Sequence, residues 1–330
     1  MNNENSKKYI FLEPFKYENQ FIDELKKTYS ELGHTVVPFE SFRQYSSIPK
    51  SSKIAVINWL EDQPSYNKSH FQAFLDFLRV VKKALLIRSK MQQGIWIQHN
   101  FRPHHRRYGQ TAFKLTQSLF TSLHFKKLVM EKYAIGMQIT HPLYLSDEHN
   151  LALRQELVNN TPATKQGVLF FGAIKKYKNL HEILSSWPCE VPMSIIGRAE
   201  SQEYADELKG IIDTRKLNIT IENRFIENDE LDLLLKAHDW VLIPHANNTM
   251  VASGSFYHAI SYGCNVICNQ SEFGLLKSSQ HNFVQVICLE SFSNHFLQQH
   301  FVPKQAVLNE VLTSYGENIR KKQWRQVLSD

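Results

Sequence analysis

No apolar run in this chain of 330 residues approaches the roughly 20 residues that a membrane-crossing helix needs. Its opening, Met1 to Lys8, has no secretory apolar stretch followed by a small-residue cleavage site. A cytosolic protein, at most peripheral to a membrane, is expected. Cysteine is scarce: Cys189, Cys264, Cys268 and Cys288 are the only 4, and none stands in a CxxC pair. That excludes a disulfide scaffold and fits a reducing compartment. With 12 glycines and 11 prolines the chain is neither collagen-like nor of low complexity. The glycine fingerprints of dinucleotide and P-loop sites are missing, which removes most support for a dehydrogenase or a P-loop NTPase. Zinc-finger spacing, an RNP motif and a basic heptad region are also missing, so no nucleic-acid partner is expected.

The residues that are present describe a globular protein, 42% hydrophobic and 21% charged. At about 150 residues per domain, two domains are expected. Charge divides them. Residues 1–160 carry 22 Lys+Arg against 14 Asp+Glu, a surplus of +8; residues 161–330 carry 16 against 18. Basic clusters at Lys82–Lys83, Arg102–Arg107 and Lys126–Lys127 suggest that the first half meets an anionic partner, such as acidic lipid headgroups or a phosphorylated molecule.

Short apolar runs alternate with helical patterns in both halves. Tyr9–Leu12, His34–Phe39, Ile54–Ile57 and Ile95–Ile97 read as strands. Phe21–Leu32 and a long stretch from Ser69 to about Lys90 read as helices, the latter with Phe71, Phe74, Leu75 and Leu78 at i, i+3, i+4 and i+7. In the second half, Gly167–Phe171, Met193–Gly197, Ile219–Ile221, Trp240–Pro244 and Asn265–Cys268 read as strands. Between them lie helices at Leu180–Trp187, Ser201–Ile212, from Asn228 (expected N-cap), and from Ser253 to Tyr262. This predicts an α/β protein of two Rossmann-like, doubly wound domains facing a cleft. The boundaries are 1–160 and 161–315, with the polar stretch 159–166 between them, and an amphipathic helix at 316–330.

Ligands of such sheets sit beyond the carboxyl ends of the strands, so the residues there are the candidates. Gly172-Ala173-Ile174-Lys175-Lys176-Tyr177-Lys178-Asn179 puts three lysines after the first strand of the second half, suited to a diphosphate. Ser253-Gly254-Ser255 opens a helix whose free N–H groups and dipole favour an anion. Gln98-His99-Asn100-Phe101-Arg102-Pro103-His104-His105 follows a strand of the first half and suits sugar hydroxyls, phosphate or proton transfer. No carboxylate or cysteine stands nearby to complete a zinc set, and no DxD-like pair ends a strand of the second half, so no metal is expected.

The second half resembles the donor domain of GT-B glycosyltransferases, especially the bacterial family 1 and family 4-like group. The likeness runs through Phe170-Phe171-Gly172-Ala173-Ile174 with Lys178-Asn179, Ser194-Ile195-Ile196-Gly197, and Arg224-Phe225-Ile226 with Asp229-Glu230-Leu231. It continues through Pro244-His245, Ser253-Gly254 and Ala259 to Ile267, about 110 residues in the family's order. His99-Asn100 with Pro103-His104, and His141-Pro142-Leu143-Tyr144, resemble the acceptor domain of the same group.

The resemblance implies transfer of a sugar from a nucleotide-sugar donor, a co-substrate needing no further cofactor, to a saccharide or lipid-linked acceptor. Bacterial surface polysaccharide or glycoconjugate synthesis is the implied setting, on the inner face of the plasma membrane. Lys178 would contact the donor diphosphate and Ser253 and Gly254 would offer it N–H groups. Gly172, Lys175, Ser255 and His258 would complete that site, and His99 would lie near the transferred sugar. The last helix would cross back to the first domain. Where many family 4 enzymes carry two glutamates, this chain has His258 and the acid-free Thr249-Met250-Val251; where an arginine is usual it has Ala173, with Lys175 as substitute. Retaining stereochemistry therefore does not carry over. A base for an inverting reaction would come from His104, Glu13 or Asp62, with His104 favoured because histidine titrates near neutral pH. Glu13, Asp62, Asn100 and Arg102 are the expected acceptor-binding residues. The alternatives are a sugar-nucleotide epimerase of the same fold and a catalytically degenerate partner subunit.

Overall fold

The computed structural model describes residues 7–17, 20–66, 69–103, 109–159, 165–245 and 251–329. The chain forms two compact units: Met1–Pro142 with Met250–Ala252 and Glu317–Asp330, and Leu143–Thr249 with Ser253–Gly316.

The first unit runs β1 (Tyr9–Glu13), α1 (Phe21–Glu31), β2 (Thr35–Pro38), β3 (Lys53–Asn58), α2 (His70–Lys90), β4 (Gln93–Ile97), α3 (Gln110–Ser122), β5 (Lys126–Val129) and β6 (Met137–Gln138). All pairings are parallel, in the order β2-β1-β3-β4-β5-β6. Every residue of β3 is buried, as expected of a strand covered by helices on both faces. Successive side chains point to opposite faces. Ile10, Leu12, Ile54, Val56, Ile95 and Ile97 thus share a core with Phe21, Ile22, Leu25 and Tyr29 of α1. Phe11, Ala55, Ile57 and Trp96 pack instead against Val80, Ala84 and Ile87 of α2. The C-terminal helix Glu317–Ser329 completes the first of these cores: Trp324 is fully buried, with its ring 4.8 Å from that of Tyr29. Lys27 Nζ lies 2.8 Å from Glu317 Oε1, and Arg320 pairs with Glu24 at 3.3 Å.

Two expectations change here. Lys126 and Lys127 do not form a free basic patch. They sit on β5, where Lys126 Nζ donates to the Val327 carbonyl (3.0 Å) and Lys127 lies over the Trp96 ring, half-buried. Helix α2 forms, capped by Ser69, which accepts from Gln72 N–H. Its buried face, however, is Ala73, Val80, Ala84 and Ile87, while Phe71, Phe74, Leu75 and Leu78 are exposed.

The second unit runs α4 (Asp147–Asn159), β7 (Lys165–Phe171), α5 (Leu180–Ser186), β8 (Met193–Ile196), α6 (Gln202–Arg215), β9 (Ile219–Glu222), α7 (Asn228–Ala237), β10 (His238–Ile243), α8 (Gly254–Ser261), β11 (Asn265–Cys268), α9 (Glu272–Gln280), β12 (Val284–Val286), α10 (Asn294–Gln299) and α11 (Lys304–Tyr315); the last helix of the chain is α12 (Glu317–Ser329). The sheet is again parallel, ordered β12-β11-β10-β7-β8-β9. Its order reverses between β7 and β10, whereas that of the first sheet reverses between β1 and β3. Helix α4 belongs to the second unit, tied to α11 by Gln305 Nε2 donating to the Leu157 carbonyl at 2.7 Å. The chain therefore passes between units at Pro142–Leu143, before the polar stretch 159–166. Asn228 is the first helical residue of α7 rather than its cap. Glu227 holds the cap position without a side-chain bond, and Asp229 and Glu230 supply negative charge to the first turn.

Candidate functional site

At the switch point of the second unit, β7 ends in Gly172, whose φ of 88° is open to glycine and strained for other residues. Gly172 N–H donates to the Ile196 carbonyl, and Ile174 N–H to that of Arg198, so the turn runs on alongside the end of β8. The approach is close enough that a Cβ on Gly197 would overlap the Gly172 carbonyl oxygen. A one-turn 3-10 helix, Lys176–Lys178, follows and stops at Asn179 in the left-handed conformation. This geometry separates the three lysines. Lys176 is exposed and points to Glu207 (3.9 Å) and the Tyr204 ring. Lys178 turns inward, buried, with its Nζ 5.1 Å from the Phe170 ring centroid.

The start of α8 meets this turn. A Cβ built on Gly172 would lie 3.9 Å from Ser255 Oγ and 4.0 Å from Lys178 Nζ. Ser253 is the N-cap, its hydroxyl accepting from Phe256 N–H at 3.3 Å. Gly254 and Ser255 are the first two helical residues, where backbone N–H groups have no intrahelical acceptor. Burial, reinforced by the charge of Lys175, lowers the Lys178 ammonium pKa to about 8. Just past the end of β10 stands His245, also buried, its Nδ1 without a hydrogen-bond partner among the described residues. Burial and then the Lys178 charge hold that imidazole far below its ordinary pKa, hence neutral. Its ring stacks on Tyr177. The sequence offered Pro244-His245 only as a strand end. His258 lies one turn into α8, stacked on Tyr144 (4.6 Å), edge-on to Phe171 and 3.8 Å from Asp232. Gly172, Lys178 and Ser255 are thus brought together, with Lys175 beside them.

In the first unit, residues at the ends of β1, β3 and β4 gather at that sheet's own switch point. His99 is buried; its Nε2 is 3.0 Å from Asn58 Oδ1, and its ring stacks on Trp59 at 4.0 Å. Asn58 also donates to the Glu13 carbonyl (3.3 Å). Asn100 Nδ2 donates to Asp62 Oδ2 at 2.6 Å, both residues buried. Glu13 is ion-paired with Lys83 at 2.6 Å, and burial outweighs that pairing to raise its pKa. Arg102 is exposed. His104 lies outside the described residues. Sequence reasoning missed Asn58 and Trp59, and also Glu61. That carboxyl is fully buried, and burial followed by the charge of Asp62 raises its pKa to about 8. Among the described residues no group of three His, Cys, Asp or Glu is placed to hold a metal ion, and no helix is long and apolar enough to cross a membrane.

No family model matches this sequence, and no curated protein matches it. Solved structures do. HepE of Anabaena, in complex with UDP, aligns at a TM-score of 0.63 and 14% identity over 98% of this chain and 99% of its own. AviGT4, a glycosyltransferase involved in avilamycin A biosynthesis, aligns at 0.61 and 14% over 97% and 98%. The UDP-forming α,α-trehalose-phosphate synthase of Burkholderia xenovorans, in complex with glucose-6-phosphate, aligns at 0.58 and 9% over 98% and 100%. With its two parallel-sheet units matched along nearly their whole length to these structures, the chain has the GT-B fold.

Proposed function

We propose that the protein is a glycosyltransferase, taking a sugar from a nucleoside-diphosphate donor and passing it to a saccharide or lipid-linked acceptor in bacterial glycoconjugate or surface polysaccharide assembly. One observation carries the reading: Gly172, Lys178 Nζ, Ser255 Oγ and the open start of α8 converge at the switch point of the second sheet. As a glycosidic bond to a nucleoside diphosphate breaks, negative charge builds on the diphosphate. Preorganised donors on developing charge supply a large share of catalysis. Here the Lys178 ammonium, the Ser255 hydroxyl and the free N–H groups of Gly254 and Ser255 are those donors. Gly172 has no side chain to fill the space between them. Lys175 adds positive charge, and neutral His245 offers a ring nitrogen without adding to the repulsion on Lys178. HepE has been solved with UDP and with UDP-glucose, which supports a uridine nucleotide as the first donor to test. The strand-end set of the first unit, His99, Asn100 and Asp62 with Asn58 and Trp59, is proposed to receive the acceptor.

The test is calorimetric titration with UDP, GDP and CMP, followed by incubation with the matching nucleotide sugar with and without saccharide acceptors. Nucleotide binding that disappears in Lys178→Ala, with acceptor-dependent release of nucleoside diphosphate, is expected. Epimer formed from donor alone would assign the alternative chemistry, and no binding of any nucleotide would refute the reading.

A further inference from the structure

Helix α2 carries its largest apolar side chains on the wrong side for a core. Its inward face is Ala73, Val80, Ala84 and Ile87. Phe71 is 70% exposed, Phe74 54% and Leu78 46%, with Leu75 and Leu85 exposed as well. A 3.6-residue repeat brings these five onto one face, opposite the buried one. Single exposed apolar residues are ordinary, but a contiguous row of them marks an interaction site.

The charges on α2 say what kind. Lys82 lies within the same outward face, between Leu78 and Leu85, and is exposed. Arg88 and Lys90 lie exposed in the last turn. The helix has one acid, Asp76, and it is paired with Arg79. An outward face of Phe and Leu threaded by cations, with no acid on it, is the pattern of a helix that lies in the interface of an anionic bilayer. A second copy of the chain is disfavoured as occupant, because an isologous contact would press this cation-bearing face against itself. The surplus of +8 in residues 1–160 has the same sign.

We propose that the protein docks on anionic phospholipid bilayers through the outward face of α2, with Phe71, Phe74, Leu75 and Leu78 entering the acyl boundary and Lys82 and Arg88 meeting the headgroups. This places the membrane-facing surface on α2 and not on Lys126–Lys127, which are taken up by the first unit's own packing. It does not depend on the transferase reading, since the surface is read without nucleotide.

The experiment is co-sedimentation of the full chain with vesicles of phosphatidylcholine alone and of phosphatidylcholine with phosphatidylglycerol, at low and high salt. Sedimentation with the anionic vesicles, weakened by salt, is expected. The double variant Phe71→Ser, Phe74→Ser should lose about tenfold or more in apparent affinity, and Lys82→Glu should fall in the same direction. Phe225→Ser, at an exposed phenylalanine of the second unit, should bind as the unaltered protein does. The altered side chains are exposed, so melting temperature and UDP binding should not move. Failure of the protein to sediment with anionic vesicles, or equal binding by the double variant, overturns the proposal. So does a solution dimer that the double variant dissolves, which would give the face to a second copy.

Discussion

Lys178 lies close enough to His245 that its charge, added to burial, keeps the imidazole neutral. Among the described residues no hydrogen bond reaches His245 Nδ1, and burial lowers the Lys178 ammonium pKa. Desolvating a buried ammonium and a buried ring nitrogen costs the fold stability. In the proposed site, a bound diphosphate repays that cost.

Lys178→Ala should raise the donor KM or lower kcat by about tenfold or more, equivalent to about 1.4 kcal/mol. Steady-state rates with the nucleotide sugar, and UDP titration of the same variant, measure it. Lys178→Met should show the other side of the balance. It fills the same space without a charge to desolvate, so its melting temperature at pH 7 should rise while UDP binding is lost. A variant that melts lower and still binds UDP would mean that the lysine serves the fold instead.

The same ammonium makes affinity depend on pH. In the free protein it loses its proton near pH 8, well below an ordinary lysine. UDP affinity should therefore weaken as pH rises from 7 to 9. Lys178→Arg keeps its charge throughout and should flatten the profile, whatever its absolute affinity. On folding stability the sign is opposite. Between about pH 8 and the ordinary lysine range the unfolded chain binds the extra proton, so this group's contribution to stability rises with pH. Calorimetric titration and urea unfolding across that range separate the two.

Glu61 acts in the reverse sense. Its carboxyl pKa is raised to about 8 in the folded protein. The folded state therefore holds a proton that the unfolded state releases near pH 4.5. The contribution of Glu61 to stability is full below that value and is lost as pH climbs towards 8. Glu61→Gln, neutral at every pH, should be more stable than the unaltered protein at pH 8 and gain little at pH 5. Urea midpoints at the two pH values decide this; a pH-independent difference would contradict the buried-acid assignment.

Gly197→Ala should damage the site through its contact with Gly172. The added methyl would collide with the Gly172 carbonyl and push the turn away from Ser255 and Lys178. A loss of about 1–3 kcal/mol in stability, together with weaker UDP binding, is expected from denaturation and calorimetry. Gly210→Ala, on α6 with nothing near its Cβ position, is the control and should be neutral or stabilising.

Much of this was legible in residue order. The strands at Tyr9, Ile54, Gly167 and Trp240 are unbroken apolar runs, and Ser253 advertises a cap that the structure uses. The gathering of Lys178 and Ser255 follows from strand-end logic, because one lies in the turn after β7 and the other opens the helix that follows β10. Other features depend on packing that no local pattern encodes. β5 opens with Lys126-Lys127, whose charges disguise a strand, and β6 and β12 are too short to show a period. The spacing of Phe71, Phe74, Leu75 and Leu78 defines one face of α2 but cannot say whether the core lies there or opposite. Lys176 and Lys178 are two positions apart, and only the 3-10 turn sends one to Glu207 and the other inward. The neutrality of His245 and the acid of Glu61 come first from burial, which no local pattern shows.

The seat of Trp324 in the first core bears on how the molecule is made. Synthesis runs from the amino end, so the strands of the first unit emerge early, yet a fully enclosed piece of their interior follows the whole of the second unit in chain order. That unit must wait, one apolar flank unsealed, while the whole of the other is threaded out. A chain stalled or cut after Gly316 would therefore spoil the part of the protein that was begun first.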